Sequence, residues 1–470
     1  MRTENGALSI ESTMDARLNL FFKTVRNIDS FRLFNLIDKS WEVDKLHTMK
    51  ILLNWRDCRG GKGDYNMFID AMEHIAKKEP EWLHVNIDNI PEYGRFLDLV
   101  KIWHVVPTSQ TYIMKFLVDQ LINDHESTES ISLLAKWIPT EKKQWDKGFV
   151  KALCKVLFNT DYVKSNHIKR LRTEYITPLR AKLKIIEHNL VNRDYTFPYE
   201  AVPSCAMKKY KKAFTKNDGV RFTSFIEDVK SGKKKINASQ VYPHDLVCKY
   251  IKGDEEDAVI EEQWKVISEN VTKLGAFDQS VVVCDVSGSM QGTPMEVAIA
   301  LGLLSKNKLI TFSEYPRLHD VPYHESLHKQ VKNVMNMDWG CNTNLEKVID
   351  LLVKFNEPIK RVYIFSDMQF DAAVSCNDTH FDQIKKKFGE SMPQIIFWNL
   401  RGDTSDFPAQ INDNGVVMLS GYSPSLLKMI TNAEDINPLN AMLSLIESDR
   451  YSKVRSPTNI EAAIANLQLM

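Results

Sequence analysis

Five oxygen-bearing side chains are spaced so that together they could hold a hard cation. Asp285, Ser287 and Ser289 form an Asp-x-Ser-x-Ser run directly after the apolar stretch Val281-Val282-Val283-Cys284. A short β-branched run of this kind reads as a buried parallel strand. In open α/β sheets, ligands bind outside the C-terminal ends of the strands, where this run begins. Thr343 lies in a second loop, residues 339–344, at the start of a helical stretch. Asp367 follows a second apolar strand at 361–365. Two carboxylates and three hydroxyls are hard ligands, suited to Mg²⁺, or to Mn²⁺ or Ca²⁺, and not to Zn²⁺. Such a shell leaves a coordination position open for a carboxylate or phosphate of a partner. Taken singly, each residue has a plain structural role: Asp, Ser and Gly favour turns, and Thr caps helices. Three loops converging on one sheet edge is what those roles leave unexplained.

The elements that must position these residues alternate from Gln279 onward. Strands are expected at 281–284, 308–312, 361–365, 394–398 and 416–419, with an edge strand at 317–321. Helices are expected at 294–304, 327–335, 345–355, 381–388 and 424–431. This alternation predicts a doubly wound, mostly parallel α/β domain over 279–433. Upstream the grammar differs. After an arm at 1–15 that reads as loose, residues 16–252 carry apolar positions at helical spacing, broken by Gly60-Gly61, Pro80, Pro91, Pro107, Pro139 and Pro178. That pattern predicts an all-α, helical-repeat-like array. The acidic run Gly253–Asp257 and an amphipathic helix form a connector over 253–278, and residues 434–470 form a helical tail. The fold class is therefore α + α/β.

Other motifs invite chemistry less strongly. Arg56-Asp57-Cys58-Arg59-Gly60-Gly61-Lys62-Gly63 hints at a phosphate loop, but Gly follows Lys and no strand precedes it, so the template fails. An inter-helix turn with an exposed basic edge is the expectation. Pro91–Asp98 reads as a helix start with a structural acid–Arg pair. Residues 133–139 read as a helix stopped by proline, with Trp137 in the core. Between 207 and 236 lie Lys208, Lys209, Lys211, Lys212, Lys216, Arg221, Lys230, Lys233, Lys234 and Lys235, interleaved with Tyr210, Phe214, Phe222 and Phe225. Lysines with aromatics can neutralise phosphates and stack bases. The preferred alternative is a solvated helix face whose aromatics point inward, since Phe222 and Phe225 share one face.

Composition narrows the classes. The chain has 470 residues and zero formal net charge, with 43% apolar and 26% charged residues. No global field argues for nucleic acid, and the length calls for more than one domain. Seven scattered cysteines without a C-x-x-C pair argue against zinc ribbons and a disulfide framework, and for a reducing compartment such as the cytoplasm. The polar residues 1–15 do not form a secretory signal. No apolar run reaches the ~20 residues that cross a bilayer, so no membrane partner is expected. No second carboxylate cluster, nucleophile elbow or His-Asp-Ser pattern supports an enzyme. His244 and His319 read as structural.

Asp285-x-Ser287-x-Ser289, Thr343 and Asp367 resemble the metal-ion-dependent adhesion site of a von Willebrand factor A domain, over residues 279–433. The resemblance implies that Ser287 and Ser289 bind the ion directly, and that Asp285, Thr343 and Asp367 do so directly or through water. It departs where Asn344, not aspartate, follows Thr343, and in the long loop after Asp367. Residues 16–23 (ARLNLFFK), 56–63 (RDCRGGKG), 91–95 (PEYGR), 134–139 (LAKWIP) and 207–214 (MKKYKKAF) resemble the DUF2828 (also DUF7788) proteins of plants, fungi and giant DNA viruses. That likeness covers nearly the whole chain; for a giant-virus member it adds the virion as a location. The layout is similar to the TROVE/Ro ribonucleoproteins, which join a helical ring to an A domain. It implies binding of small structured RNA, here through Arg56, Arg59, Lys62, Lys208, Lys209, Lys211, Lys212, Lys233, Lys234 and Lys235. The leading expectation is a non-catalytic, Mg²⁺-dependent binding or scaffold protein that captures an acidic ligand or protein partner; RNA binding is the alternative.

Overall fold

Six strands build the sheet that carries the rim: β1 (Ser280–Cys284), β2 (Leu309–Thr311), β3 (Leu318–His319), β4 (Arg361–Ser366), β5 (Gln394–Asn399) and β6 (Val416–Ser420). Their order is β3-β2-β1-β4-β5-β6. Every neighbouring pair is parallel except the short antiparallel edge β2–β3. The structure is a computed structural model, and it describes all residues except 1, 4, 27, 66, 313–315, 338–342, 356, 372–378, 405, 431–436 and 458–470.

The strand register follows from burial on both faces. Val281, Val282 and Val283 are all buried. Removing such side chains from water contributes roughly 1.5–3 kcal/mol each. On one face Val281 and Val283 join Ile364 and Phe397 beneath the helices Leu345–Val353 and His380–Phe388. Side chains alternate along a strand, so Cys284 meets the other layer, where its Sγ lies 3.3 Å from Ala298 O of the helix Thr293–Ser305. A methyl group at Gly302 of that helix would sit 2.7 Å from Cys284 Sγ, so only glycine permits this approach.

One pairing places the site. Cys284 is in register with Phe365, and the Asp285 N–H donates to Phe365 O at 2.9 Å. β1 and β4 therefore end level. From β1 the chain moves to β2 on one side, and β4 leads on to β5 on the other. Such a reversal opens a crevice at the C-terminal ends of the two strands.

The contacts divide the chain into two compact units: Met1–Ile51, Arg59–Asp64 and Pro198–Arg450 in one; Leu52–Cys58, Tyr65–Phe197 and Tyr451–Met470 in the other. This division differs from a linear cut into 16–252, 253–278 and 279–433. The helices Ala16–Lys23, Ser30–Val43, Ser204–Asn217, Gly219–Lys230 and Pro243–Ile251 belong with the sheet. Phe22 enters the sheet's apolar core, and Pro243–Ile251 packs on Thr293–Ser305. The connector helix Ala258–Lys273 packs on Thr293–Ser305 and Leu327–Met335. Periodicity reveals that a helix has an apolar face, not which layer that face covers. The arm is not loose either: Ala7 and Thr13 are buried, and Ile10 bridges to Phe407.

The second unit is helical among its described residues, from Phe68–Lys78 through Phe96–Val105 and Gln110–Glu126 to Ile186–Val191. Pro91–Asp98 does begin a helix with an acid–Arg pair, and the partner is Arg56: its Nε and Nη2 reach Asp98 Oδ2 at 2.8 and 2.7 Å. Trp137 is half-buried near the Arg95 guanidinium and not in the core. The tail contributes the helix Pro438–Ile446 to the first unit; its last residues, 458–470, lie outside the described ones.

Candidate functional site at the sheet rim

The end of β1 delivers Asp285 into a buried polar centre. The Ser287 N–H donates to its Oδ1 at 2.9 Å, and the Ser366 hydroxyl donates to its Oδ2 at 2.6 Å. The Ser287 and Ser289 hydroxyls are 3.0 Å apart. Asp367, at the end of β4, accepts the Gln369 N–H on Oδ1 at 3.1 Å. Its Oδ2 is buried with no hydrogen-bond partner, and the Arg401 guanidinium stands 3.8 Å away. Met368 between them takes φ +67°, a left-handed conformation that costs a non-glycine residue ~1–2 kcal/mol. That turn returns the Met368 N–H to Ser366 Oγ at 3.0 Å.

Two carboxylates sharing one buried crevice disfavour each other's ionisation. Burial first, then the charge of Asp367, pushes Asp285 up to about 6 against the hydrogen bonds from Ser366 and Ser287. Burial also raises Asp367, opposed by the Ser289 hydroxyl, the Gln369 N–H and Arg401. The centre therefore lacks positive charge. Arg401 only partly supplies it, because its Nη1 donates to Ser289 O at 2.7 Å while Nε holds Asp403 at 3.0 Å.

Of the five residues singled out by spacing, Asp285, Ser287, Ser289 and Asp367 meet in this network. Thr343 is buried but turned to a different group. Its hydroxyl lies 2.7 Å from Gln369 O and 3.1 Å from Asp371 Oδ1, and it accepts from Asn5 Nδ2 at 3.1 Å. Most of the loop at 339–344 falls outside the described residues, as does the stretch after Asp371. Among the described residues no three His, Cys, Asp or Glu side chains gather as a metal cluster. A cation here would rest on two carboxylates, hydroxyls and water.

Sequence reasoning missed Ser366, Gln369, Arg401 and Asn5. Arg401 carried a usable signal, since it too lies just past a parallel strand, held by its N–H to Asn399 Oδ1 at 3.0 Å. Asn5 carried none.

The basic residues need correction. Arg56 is not an exposed edge but is buried against Asp98. Lys62 is also buried: its Nζ donates to Phe21 O, to Thr24 Oγ1 at 2.8 Å and to Ser420 Oγ at 2.6 Å. Neither reaches a phosphate. Gly63 beside it has φ +72° and lies against the Tyr242 hydroxyl, which occupies the place of a side chain. Lys208 pairs with Asp245, Lys211 with Asp257 and Lys234 with Asp228; Lys209 lies over the Tyr210 ring. Lys212, Lys233, Lys235 and Arg59 are exposed. Phe214, Phe222 and Phe225 pack around Tyr199 in a buried cluster, so they are core and not stacking platforms. His244 is structural, buried between Tyr242 and Tyr422, where burial drops its pKa to about 4.

Helices joined to a mostly parallel sheet, with polar residues at its switch-point rim, define an α + α/β protein with a rim site. The chain belongs to the DUF2828 family: the model described as a domain of unknown function (DUF2828) matches residues 3–115 and 114–277, and a second, also a domain of unknown function (DUF7788), matches 279–464. An uncharacterised protein of Acanthamoeba polyphaga mimivirus is 32% identical over 505 aligned positions, covering 95% of this chain and 87% of that one. The crystal structure of the Deinococcus radiodurans Ro (RSR) protein is similar at a TM-score of 0.40 and 14% identity, covering 86% of this chain and 90% of that one. Among the described residues no helix is long and apolar enough to cross a membrane.

Proposed function

We propose that the rim is a non-catalytic, divalent-cation-dependent binding site, of the kind found in von Willebrand factor A domains, which captures an acidic group of a protein partner. One observation carries this reading: the buried crevice between β1 and β4 holds two carboxylates, and Asp367 Oδ2 is buried without a hydrogen-bond partner. A buried carboxylate oxygen left unpaired costs free energy that a hard cation would recover. Asp285, Ser287, Ser289 and Asp367 would hold the ion, with Thr343 at the margin. The ion would supply the positive charge that an acidic ligand needs. Mg²⁺ titration followed by thermal unfolding tests it: wild type should gain stability and Asp285→Ala should not. Equal response of the two proteins would end the proposal.

A second reading, RNA binding, is favoured by a different region. Residues 136–187 hold thirteen Lys and Arg against five Asp and Glu in a chain of zero net charge. Lys142, Lys143, Lys147, Lys151, Lys155, Lys164, Lys169 and Arg172 are exposed and make no ion pair among the described residues. Lys169 and Arg172 line a cleft of about 570 Å³ with Ser165, Asn166 and Arg180. Each phosphate neutralised on a single strand adds about 0.7 to the salt slope of binding. Charge reversal at Lys169 and Arg172 should lower both retention on RNA and that slope. Retention unchanged by the reversal would remove this reading.

A further inference from the structure

We infer that the amino-terminal arm is an intramolecular strap that occupies the outer face of the rim and must release before the site engages a partner. The inference rests on the cation-site reading above and concerns its regulation.

The arm reaches the rim through four residues. Thr3 Oγ1 donates to Phe370 O at 2.7 Å. Asn5 Nδ2 donates to Gln369 O at 2.9 Å and to Thr343 Oγ1 at 3.1 Å. Gly6 forms a bridge to Asp371, and Ile10 and Phe407 exchange both main-chain hydrogen bonds, at 3.2 and 2.9 Å. Every one of these partners lies in a loop that follows β4 or β5, or is Thr343 itself.

The consequence for Thr343 is specific. A hydroxyl has one proton and two lone pairs. The proton goes to Gln369 O or Asp371 Oδ1, and Asn5 uses a lone pair. Thr343 is 1% exposed, whereas Asn5 is exposed. Asn5 thus caps the Thr343 hydroxyl with an exposed side chain, and ties up an oxygen that a cation or its water would use.

The strap is built to let go. Ala7 is the one fully buried apolar side chain among its described residues 2–10; Ile10 is half-buried against the core, and the rest of the hold is a few hydrogen bonds, each of small net worth. Segments held by few apolar contacts open far below the global unfolding free energy. Ala7 packing with Phe22 in the sheet core gives the arm a fixed point near its middle.

The test uses the full chain and Mn²⁺ as probe, with binding read by calorimetry and exchange of the arm's amides read by hydrogen–deuterium mass spectrometry. Asn5→Ala keeps the main-chain pairing and Ala7, so the fold survives; it should bind Mn²⁺ roughly two- to tenfold more tightly, the worth of one hydrogen bond. Removal of residues 2–10 should give at least that gain, and Mn²⁺ should speed amide exchange at Gly6 and Ile10 in the wild type. Equal Mn²⁺ affinity in wild type and Asn5→Ala, with arm exchange unmoved by the ion, would overturn the strap while leaving the cation site standing. Failure of every form to bind Mn²⁺ would overturn the site, and the strap with it.

Discussion

Two buried charged centres in this chain are built on opposite plans. In the helical unit, Arg56 and Asp98 are both nearly inaccessible, and the guanidinium places two nitrogens on one carboxylate oxygen. The Arg95 N–H adds a second hydrogen bond to that oxygen, at 3.0 Å, beside the one from Arg56 Nε. Gly94 is forced there, since a methyl group would sit 2.3 Å from Asp98 Oδ2. In the sheet unit, Asp285 and Asp367 are as deeply buried, but they repel each other, and the nearest guanidinium is shared with two other groups. A matched pair holds a structure together; a mismatched pair keeps its repulsion inside the fold, and the cation proposed above would relieve it. Buried pairs contribute little net stability when whole but cost much when one member is removed.

The sharpest way to break the contrast is to remove Arg56. Arg56→Ala should cost about 3–5 kcal/mol, because it leaves a buried carboxylate uncompensated. Chemical denaturation monitored by proteolysis within 65–197 measures it, and a loss below 1 kcal/mol would mean the pair is not the clamp described. Next in size is the response to Mg²⁺: at a hundredfold excess over Kd, wild type should gain about 2.7 kcal/mol. Asp367→Asn should abolish that gain. The same substitution in chelator should raise stability by about 1 kcal/mol, the opposite sign to Arg56→Ala, since it removes one of two repelling charges from a buried site. A rim substitution as destabilising as Arg56→Ala would erase the distinction between the two centres.

How much of this was legible in the sequence depends on what is local. The valine run and the Asp-x-Ser-x-Ser turn are adjacent, and a strand followed by turn chemistry is a local statement, so β1 and its oxygen ligands could be read directly. Asp367 followed by the same rule. The burial of Arg56 and Lys62 could not be read, because it is decided by acceptors far along the chain: Asp98 for one, Phe21, Thr24 and Ser420 for the other. Charged residues beside glycines look solvent-exposed until such partners are known. The arm escaped for a similar reason. Its hold on the rim is a mix of main-chain pairing at Ile10 and single polar side chains, Thr3 and Asn5, which leaves no periodic mark on the sequence.

A pH profile separates the acidic rim from a buried base in the same unit. Asp285 titrates near 6 in the folded chain against 3.8 in the unfolded one. Between those values the folded state holds the extra proton, so stability should fall as pH rises from about 4 to 6. Lys23 is buried, with Nζ on Thr404 Oγ1 at 2.9 Å, and desolvation lowers its pKa from 10.5 to about 7. Between 7 and 10.5 the unfolded chain holds the extra proton, so stability should rise with pH across that window. Each limb can slope by at most about 1.4 kcal/mol per pH unit per proton. Folding free energy in chelator, followed from pH 4 to 10, should therefore dip near 6–7, where many proteins are most stable. Asp285→Asn should flatten only the acid limb and Lys23→Met only the alkaline one. If each variant kept both limbs, the carboxylate pair and the lysine would be better solvated than their burial implies, and the rim would have no missing charge for a cation to supply.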